Sequence, residues 1–457
     1  MGVKFSLTCA VVFAVGTLSL SGSAFGQFGG QVKVSNVIEG GGNLPGVSAA
    51  RCGNNIVVGF EDSEPSGTGT AGFSVSKDGG MTFSDLGTIP VRFAGSNAAV
   101  IGCTNASTFY YANQDFSNDP SCLAQCSEIS VSNSTNGGST WNAPVVASSA
   151  SGDIYFLQNP ALAVDPTNSK RLYAAYINHN QPGPNDFPGC GDGDEYILEI
   201  VTSGDGGKTW NGRGNPAQSG PSAGIPQPDH TCTAPDFGAE HTGILASPAV
   251  IVSPGGKVYV AYEFVAIGFN GTNPPNEIRF TRSLDGGKTF SAPTTVSNDA
   301  INSALPQLAV DRTTSSFRGT IYLTWSGKPR GTTTEVLMSD SLNFGVSFSF
   351  PRSVRASSQG TQINPVVAVD NDGQVADCYY VTGTNTPTSS STYFYNCLTS
   401  FNHAATWAGY QKLVPVAPPG FDALTSDFLL QTDGFFTSFE LQPSGQKHVV
   451  GESADLK

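Results

Sequence analysis

The stretch Ser-Lys-Asp-Gly-Gly-Met-Thr-Phe at residues 76–83 decides the fold, because its spacing recurs down the chain. Ser-Gly-Asp-Gly-Gly-Lys-Thr-Trp at 203–210 and Ser-Leu-Asp-Gly-Gly-Lys-Thr-Phe at 283–290 are close copies. Looser copies centre on Asn136, Asn343 and Asn402 and end in Trp141, Phe348 and Trp407. A motif repeated in this way predicts a fold assembled from one supersecondary unit.

The third position of the motif is a short polar side chain in every copy. Such a side chain can accept backbone N–H bonds from the turn that follows, and the glycines permit a positive φ. Each bond contributes about 0.5–1.5 kcal/mol. We therefore expect structural turn clasps, and not catalytic groups, at Asp78, Asn136, Asp205, Asp285, Asn343 and Asn402.

Two apolar strand signals precede each motif. Residues 159–165 and 172–176 are a clear example, further ones start at Ser247, Leu305 and Asn364, and weaker ones cover 47–60 and 97–111. Near-continuous apolar runs of this length are typical of strands buried on both faces.

With these strands and turns, the chain resembles the Asp-box, or BNR-repeat, family of sialidases, sortilin-type receptors and other glycan-active propellers. The resemblance covers nearly the whole chain after residue 26 and implies an all-β β-propeller of four-stranded antiparallel blades. In this family the box joins the third and fourth strands of a blade, away from the ligand face. The resemblance is thus specific for fold and only weakly specific for activity.

Three further strands without a box are predicted at residues 426–430, 435–441 and 447–451. They lack a fourth partner, and residues 31–37 resemble the strand that follows a box. We expect this segment to complete a seventh blade and so to close the ring, which removes open sheet edges. The alternative is six blades, with the ends forming a trailing extension.

Composition and charge limit the class of protein. Only 13% of the 457 residues are charged, 54 are glycine, and the net charge is −14, so nucleic acid is not an expected partner. Lys4 and the apolar run at 5–20 predict a signal peptide over residues 1–26. The expected product is one propeller domain over 27–457, secreted to an extracellular or periplasmic space, without a membrane span and monomeric.

Cysteine usage agrees with export. Removal of Cys9 with the signal leaves eight cysteines, which predicts four disulfides in an oxidising compartment. Positions in the repeats suggest the pairs Cys52–Cys103, Cys122–Cys126, Cys190–Cys232 and Cys378–Cys397, although sequence alone does not fix connectivity.

Two long insertions, residues 179–195 and 211–246, interrupt the third repeat and are expected to emerge together at the channel mouth. Ionisable residues concentrate there. We consider a solvated acidic loop, a calcium loop formed by Asp192, Asp194 and Glu195, and a general acid–base pair drawn from Asp194, Glu195, Asp236 and Glu240. Candidate ligand-binding residues in the insertions are Asp192, Asp229, His230 and His241.

A sialidase would need three arginines for the substrate carboxylate, a Tyr–Glu nucleophile pair and an Asp acid/base. The aromatic-Arg-Ile-Pro motif of that family is missing; its nearest match, at residues 90–93, is scrambled and follows the first box. Arg51, Arg279 and Arg330 could supply guanidinium groups, and Tyr262 with Glu263 could supply the pair.

Two functional hypotheses remain. The first is a non-catalytic propeller that binds a glycan or an extracellular protein at the channel mouth, and the second is a sialidase-like or other glycan-cleaving glycoside hydrolase. No cofactor is required by either, with Ca²⁺ binding left open. A carboxylate pair or an arginine cluster at the mouth would favour the enzyme.

Overall fold

The computed structural model describes residues 32–34, 47–63, 69–93, 95–117, 126–151, 155–181, 190, 193–212, 224–234, 242–268, 274–329, 333–355, 360–387, 391, 393–416, 426–431, 434–441 and 448–455. All regular elements in these residues are β-strands, arranged as a β-propeller. No helix long and apolar enough to cross a membrane occurs in the described residues.

The strands form successive antiparallel sheets. After β1 (Val32–Lys33) the first sheet contains β2 (Ser48–Cys52), β3 (Asn55–Ser63), β4 (Gly69–Ser76) and β5 (Ser84–Thr88). The second contains β6 (Gly95–Asn105), β7 (Thr108–Ser117), β8 (Cys126–Ser134) and β9 (Val145–Ser151). The third contains β10 (Tyr155–Val164), β11 (Leu172–Asn180), β12 (Glu195–Ser203) and β13 (Asp229–Cys232). Strand order follows chain order in each.

The next two sets are joined through the single residue pair Ala300 and Gly327. They consist of β14 (Gly243–Val252), β15 (Val258–Ala266), β16 (Asn276–Ser283) and β17 (Thr294–Ala300), then β18 (Gln307–Val310), β19 (Ile321–Gly327), β20 (Glu335–Ser341) and β21 (Arg352–Ser353). The following sheet contains β22 (Gln362–Val369), β23 (Val375–Thr382), β24 (Tyr393–Ser400) and β25 (Ala408–Val416). We call these six sets blades 1 to 6.

The two ends of the chain share one sheet. Its strands are β26 (Ser426–Gln431), β27 (Gly434–Leu441), β28 (His448–Asp455) and β1, in the order β1-β28-β27-β26. Val32 pairs with Gly451 and Lys33 with Val450. The three predicted C-terminal strands and their N-terminal partner are therefore found in the described backbone.

The box turns connect the third and fourth strands of blades 1 to 6 and repeat one hydrogen-bond pattern. In blade 4, Asp285 Oδ1 accepts the backbone N–H of Thr289 at 3.0 Å, and Asp285 Oδ2 accepts the Thr289 hydroxyl at 2.6 Å. Ser283 Oγ accepts the Gly287 N–H at 2.8 Å. Asn136 accepts the Thr140 N–H in the same way. We call the end of the propeller that carries these turns the box face, and the opposite end the mouth face.

The hydrophobic core lies between successive blades. Alternate residues of a strand point to opposite sides of the sheet, so the second strand of a blade packs against both neighbouring blades. Tyr176 of β11 packs with blade 2 residues, whereas Tyr173 of the same strand packs with blade 4 residues. These inter-blade layers bury residues from every described blade and fix the position of the mouth.

Disulfides join Cys52 to Cys103, Cys190 to Cys232 and Cys378 to Cys397, which are three of the predicted pairings. The proposed partner pair Cys122–Cys126 lies outside what the structure describes, since Cys122 and the side chain of Cys126 are not covered. Cys52 and Cys103 lie within the innermost strands β2 and β6.

The second insertion does not form one loop at the mouth. Its residues 229–232 are the outer strand β13, and Pro226 O accepts the Ile200 N–H at 3.2 Å. Asn211 instead bonds to Thr202, next to the box turn. The expectation that residues 211–246 form one loop at the mouth is corrected for residues 229–232, because these residues complete the blade 3 sheet.

Candidate site at the channel mouth

The mouth-face rim of blade 3 is held together by the Cys190–Cys232 disulfide. Beside it, Asp194 O accepts the Thr233 N–H and Thr233 Oγ1 accepts the Asp194 N–H, each at 2.8 Å. A Cβ on Gly193 would lie 2.3 Å from the Ala234 nitrogen, so the two segments approach too closely for a larger residue. The ends of β12 and β13 are therefore one fixed unit.

Ionisable side chains of this rim pair with one another. His179 Nε2 lies 2.9 Å from Asp194 Oδ2, and the imidazole stacks on Tyr196 with ring centroids 4.3 Å apart. Glu195 accepts a 2.8 Å bond from Asn180 Nδ2, and His230 Nε2 lies 4.0 Å from Glu195. His230 is exposed, whereas the other side chains are half-buried or buried. The rim is a polar surface on the mouth face, at the outer part of blade 3.

Of the three proposed calcium ligands, the two that are described face different partners. Asp194 faces His179 and Glu195 faces Asn180. No group of three or more His, Cys, Asp or Glu side chains suited to a metal occurs within the described residues. Asp192 is not among those residues.

A second group of candidates meets between blades 3 and 4. Asp229 Oδ2 accepts bonds from the Tyr262 hydroxyl at 2.7 Å and from Arg279 Nη1 at 3.0 Å. Arg279 Nε donates to Glu277 at 2.8 Å, and its guanidinium lies 3.7 Å from the centre of the Phe264 ring. The Arg279 side chain is only 4% exposed. This arginine is occupied by two carboxylates and does not face the channel.

Burial governs the titration of this group. Burial, together with the neighbouring Asp229 carboxylate, raises the pKa of Tyr262 well above its ordinary value. Burial alone would lower the pKa of Arg279, but its bonds to Glu277 and Asp229 outweigh that effect and raise it. A charged arginine clamped between acids stabilises the contact between two blades.

Glu263 follows Tyr262 but points to the opposite side of β15, so the predicted Tyr262–Glu263 pair does not form. Its Oε2 accepts the Ala304 N–H at 3.1 Å, while Oε1 is buried without a hydrogen-bond partner. Burial raises the pKa of Glu263 to about 8, against the lowering effect of the backbone N–H bonds.

The structure does contain a Tyr–Glu pair, which sequence reasoning missed. The Tyr176 hydroxyl donates to Glu199 at 2.7 Å, and Glu199 also accepts bonds from Gln227 and Asn178. Both members are fully buried between blades 2 and 3. Tyr176 and Tyr262 occupy equivalent positions, each four residues after the residue that pairs with the box serine. An alignment of the repeats would have matched the two tyrosines, but the residue opposite is Glu199 in blade 3 and Arg279 in blade 4.

The innermost strands carry a repeated irregularity. Asn159, Ser247, Leu305 and Asn364 each precede a proline, and their φ values are 54°, 49°, 48° and 54°. Leu305 lies just before β18, and the ladder register shifts at the other three, in β10, β14 and β22. All four side chains are half-buried. A bulge of this kind redirects a side chain.

The described channel wall is almost free of charge. Apart from Asp427 of β26, whose side chain is not described, the only acidic or basic residue in the innermost strands β2, β6, β10, β14, β18, β22 and β26 is Arg51. Arg51 Nε donates to Gly53 O at the box end of blade 1. Arg51 and Arg279 therefore do not converge. Of the other candidates, Asp192, Asp236, Glu240, His241 and Arg330 lie outside the described residues.

No family model matches the sequence, and no curated protein matches it. Among solved structures, a Penicillium chrysogenum α-L-arabinanase is similar with a TM-score of 0.49 and 12% identity, over 94% of this chain and 99% of that one. The α-L-arabinofuranosidase Arb93A of Fusarium graminearum gives 0.48 and 14%, over 94% and 98%. The Hadza microbial sialidase Hz136 gives 0.47 and 15%, over 85% and 74%. We infer no chemistry from similarities of this size.

Proposed function

We propose that this chain is a secreted propeller that binds a neutral, hydroxyl-rich ligand, a glycan, at the channel mouth beside the blade 3 rim. The observation that carries the proposal is the channel wall. Three of the innermost strands carry Asn159, Ser247 and Asn364, with amide or hydroxyl side chains, on bulged backbone, and the innermost strands have almost no charge. Amides and hydroxyls both donate and accept hydrogen bonds, as sugar hydroxyls do.

Strain at these positions supports a binding role. A non-glycine residue with φ near +50° is uncommon and costs of order 1 kcal/mol, and such residues cluster at functional sites. Four of them occupy equivalent places around one channel. We infer that the bulges persist because the side chains they direct inward contact ligand.

Catalysis of the sialidase type has little support. Arg279 is paired and buried, Tyr176 and Glu199 are buried between blades, and Tyr262 and Glu263 point in opposite directions. A buried group cannot touch a substrate in the channel.

The closing of the ring by β1 favours seven blades over six, and the three disulfides agree with an oxidising, extracellular location.

The test is calorimetry and product analysis of the purified protein with neutral oligosaccharides and sialosides. We expect binding of a neutral glycan without product. Asn159→Gly and Asn364→Gly should each weaken it about tenfold or more, because glycine keeps the positive φ while the carboxamide is lost. Asn298→Gly, on the exposed outer strand β17, is the control and should bind normally. Released sugar would establish a glycosidase instead, and wild-type affinity in both channel variants would refute the site.

A further inference from the structure

The box face of blades 4 to 6 exposes large apolar side chains. Phe350 is 86% exposed, Leu342 68%, and Leu284 and Val346 58% each. Together with Phe344 and Phe401 we call these residues the box-turn patch. Four of the six belong to blade 5, in or just after its box turn. Exposed apolar residues grouped on one surface are typical of an interaction site.

Backbone conformation indicates that the patch is not incidental. The fourth box position is glycine with positive φ in blades 1 to 4, at Gly79, Gly137, Gly206 and Gly286. In blade 5 the same position is Phe344, with φ of 60°. A bulky residue in the left-handed region is strained, and here Phe344 is 43% exposed.

Cations surround the patch although the chain carries a net charge of −14. The Lys257 ammonium lies 3.2 Å from the centre of the Phe344 ring, and Arg282 Nη1 donates to Phe344 O at 2.7 Å. Lys288 of the blade 4 box and Arg318 of blade 5 are exposed. Of the acids at this end, Asp340 is bridged to Arg352 and Asp311 is buried, whereas Asp285 of the blade 4 turn and Asp372, beside the blade 6 turn, are exposed. Around the turns of blades 4 and 5, the four cations therefore outnumber the one exposed carboxylate, Asp285.

The turns that carry the patch are neighbours at one end of the propeller. Arg282 reaches from blade 4 to the blade 5 turn, and Phe317 of blade 5 stacks on His403 of the blade 6 turn with ring centroids 3.5 Å apart. Apolar tips among lysines and arginines on one end of a propeller fit an anionic lipid surface. A protein partner would instead require a shaped complement.

We propose that the box-turn patch docks this protein onto an anionic lipid surface. The apolar tips enter the headgroup boundary while the surrounding lysines and arginines meet lipid phosphates. Docking by the box face turns the mouth face away from the lipid, so the channel stays open to ligand. The proposal depends on the exposed turns and not on the ligand bound at the mouth.

Flotation of the full chain with two vesicle types tests the proposal. One vesicle is phosphatidylcholine alone, and the other is phosphatidylcholine and phosphatidylglycerol in equal parts. Wild type should float with the anionic vesicles, more weakly as salt rises. The triple variant Leu342→Ser, Val346→Ser and Phe350→Ser should lose about tenfold or more in vesicle affinity, because its apolar tips are removed. Met81→Ser, exposed at 71% in the blade 1 box turn, is the control and should float as wild type does.

Circular dichroism and melting of the triple variant establish that it is folded, which its exposed positions favour. Equal binding to both vesicles, or no binding of wild type to either, would overturn the proposal. So would unchanged flotation of the triple variant. A wild-type dimer in sedimentation that becomes a monomer in the triple variant would show that a second copy of this chain covers the patch.

Discussion

Replacement of Glu263 by Gln should flatten the pH dependence of stability. This carboxyl is fully buried between blades 4 and 5, and burial raises its pKa to about 8 from an ordinary value of 4.5. Between pH 4.5 and 8 the folded chain holds a proton that the unfolded chain releases. The contribution of this carboxyl to the free energy of unfolding is therefore fully present below pH 4.5, and it is lost as the pH rises through 8. At 1.36 kcal/mol per pKa unit, the gap corresponds to about 5 kcal/mol.

Glutamine keeps the shape and can accept the Ala304 N–H through its carbonyl oxygen, but it does not ionise. We expect Glu263→Gln and wild type to have similar free energies of unfolding at pH 4.5. At pH 9 the variant should be more stable by several kcal/mol, up to about 5. Urea denaturation, monitored by tryptophan fluorescence at pH 4.5, 7 and 9, gives the free energy of unfolding of wild type and variant.

The control is Asp372→Asn, which removes a carboxylate from an exposed turn of blade 6. Its stability difference from wild type should not grow between pH 4.5 and 9. If Glu263→Gln also differs from wild type by a constant amount at every pH, the buried carboxyl is not the source of the pH dependence and the reasoning is refuted.

Four further predictions concern stability. Burial raises the pKa of Asp377 well above its ordinary value, so Asp377→Asn should stabilise more at pH 9 than at pH 4.5 in urea melts; the reverse order would contradict this. Asp285→Ala should cost about 1–3 kcal/mol in thermal unfolding through lost turn bonds, while Asp285→Asn should cost less, as Asn136 makes equivalent bonds. Cys190→Ser with Cys232→Ser should lower the free energy of unfolding by up to about 4 kcal/mol and weaken glycan affinity; unchanged affinity would separate the rim from binding. Gly138→Ala places a Cβ 2.3 Å from Val57 Cγ2 at a φ of 84° and should cost about 2–4 kcal/mol, whereas Gly87→Ala, at 86° with open space, should cost about 1; equal losses would show that the steric contact is unimportant.

The repeat architecture was predictable because its determinants are local. A box turn is specified by eight consecutive residues. The strand starts proposed at Ser247, Leu305 and Asn364 lie within four residues of the observed starts of β14, β18 and β22 at Gly243, Gln307 and Gln362. The C-terminal strands were also found, since β26, β27 and β28 follow the alternation and spacing of their residues.

The site was less predictable because its contacts join different blades. Asp229 and Arg279 are 50 residues apart, and Ser148 and Tyr176 are 28 apart. No local pattern shows which face of a strand meets the next blade. The sequence therefore suggested that the neighbours Tyr262 and Glu263 act as a pair, whereas their side chains lie on opposite sides of the strand. The loop predicted at 211–246 was affected in a similar way. Four of its residues form the outer strand of a sheet, and their partner strand lies at 195–203, outside the insertion.

Pairing of β1 with β28 sets the order in which the molecule can be made. Val32 finds its partner Gly451 only after the rest of the chain has left the ribosome, so this sheet must form last during synthesis. Until β1 pairs with it, β28 has one open edge, and such an edge can pair with another chain. Contacts of this sequence separation also slow folding. If the chain is exported as proposed, ring closure after export would take place in the same oxidising compartment in which the disulfides form.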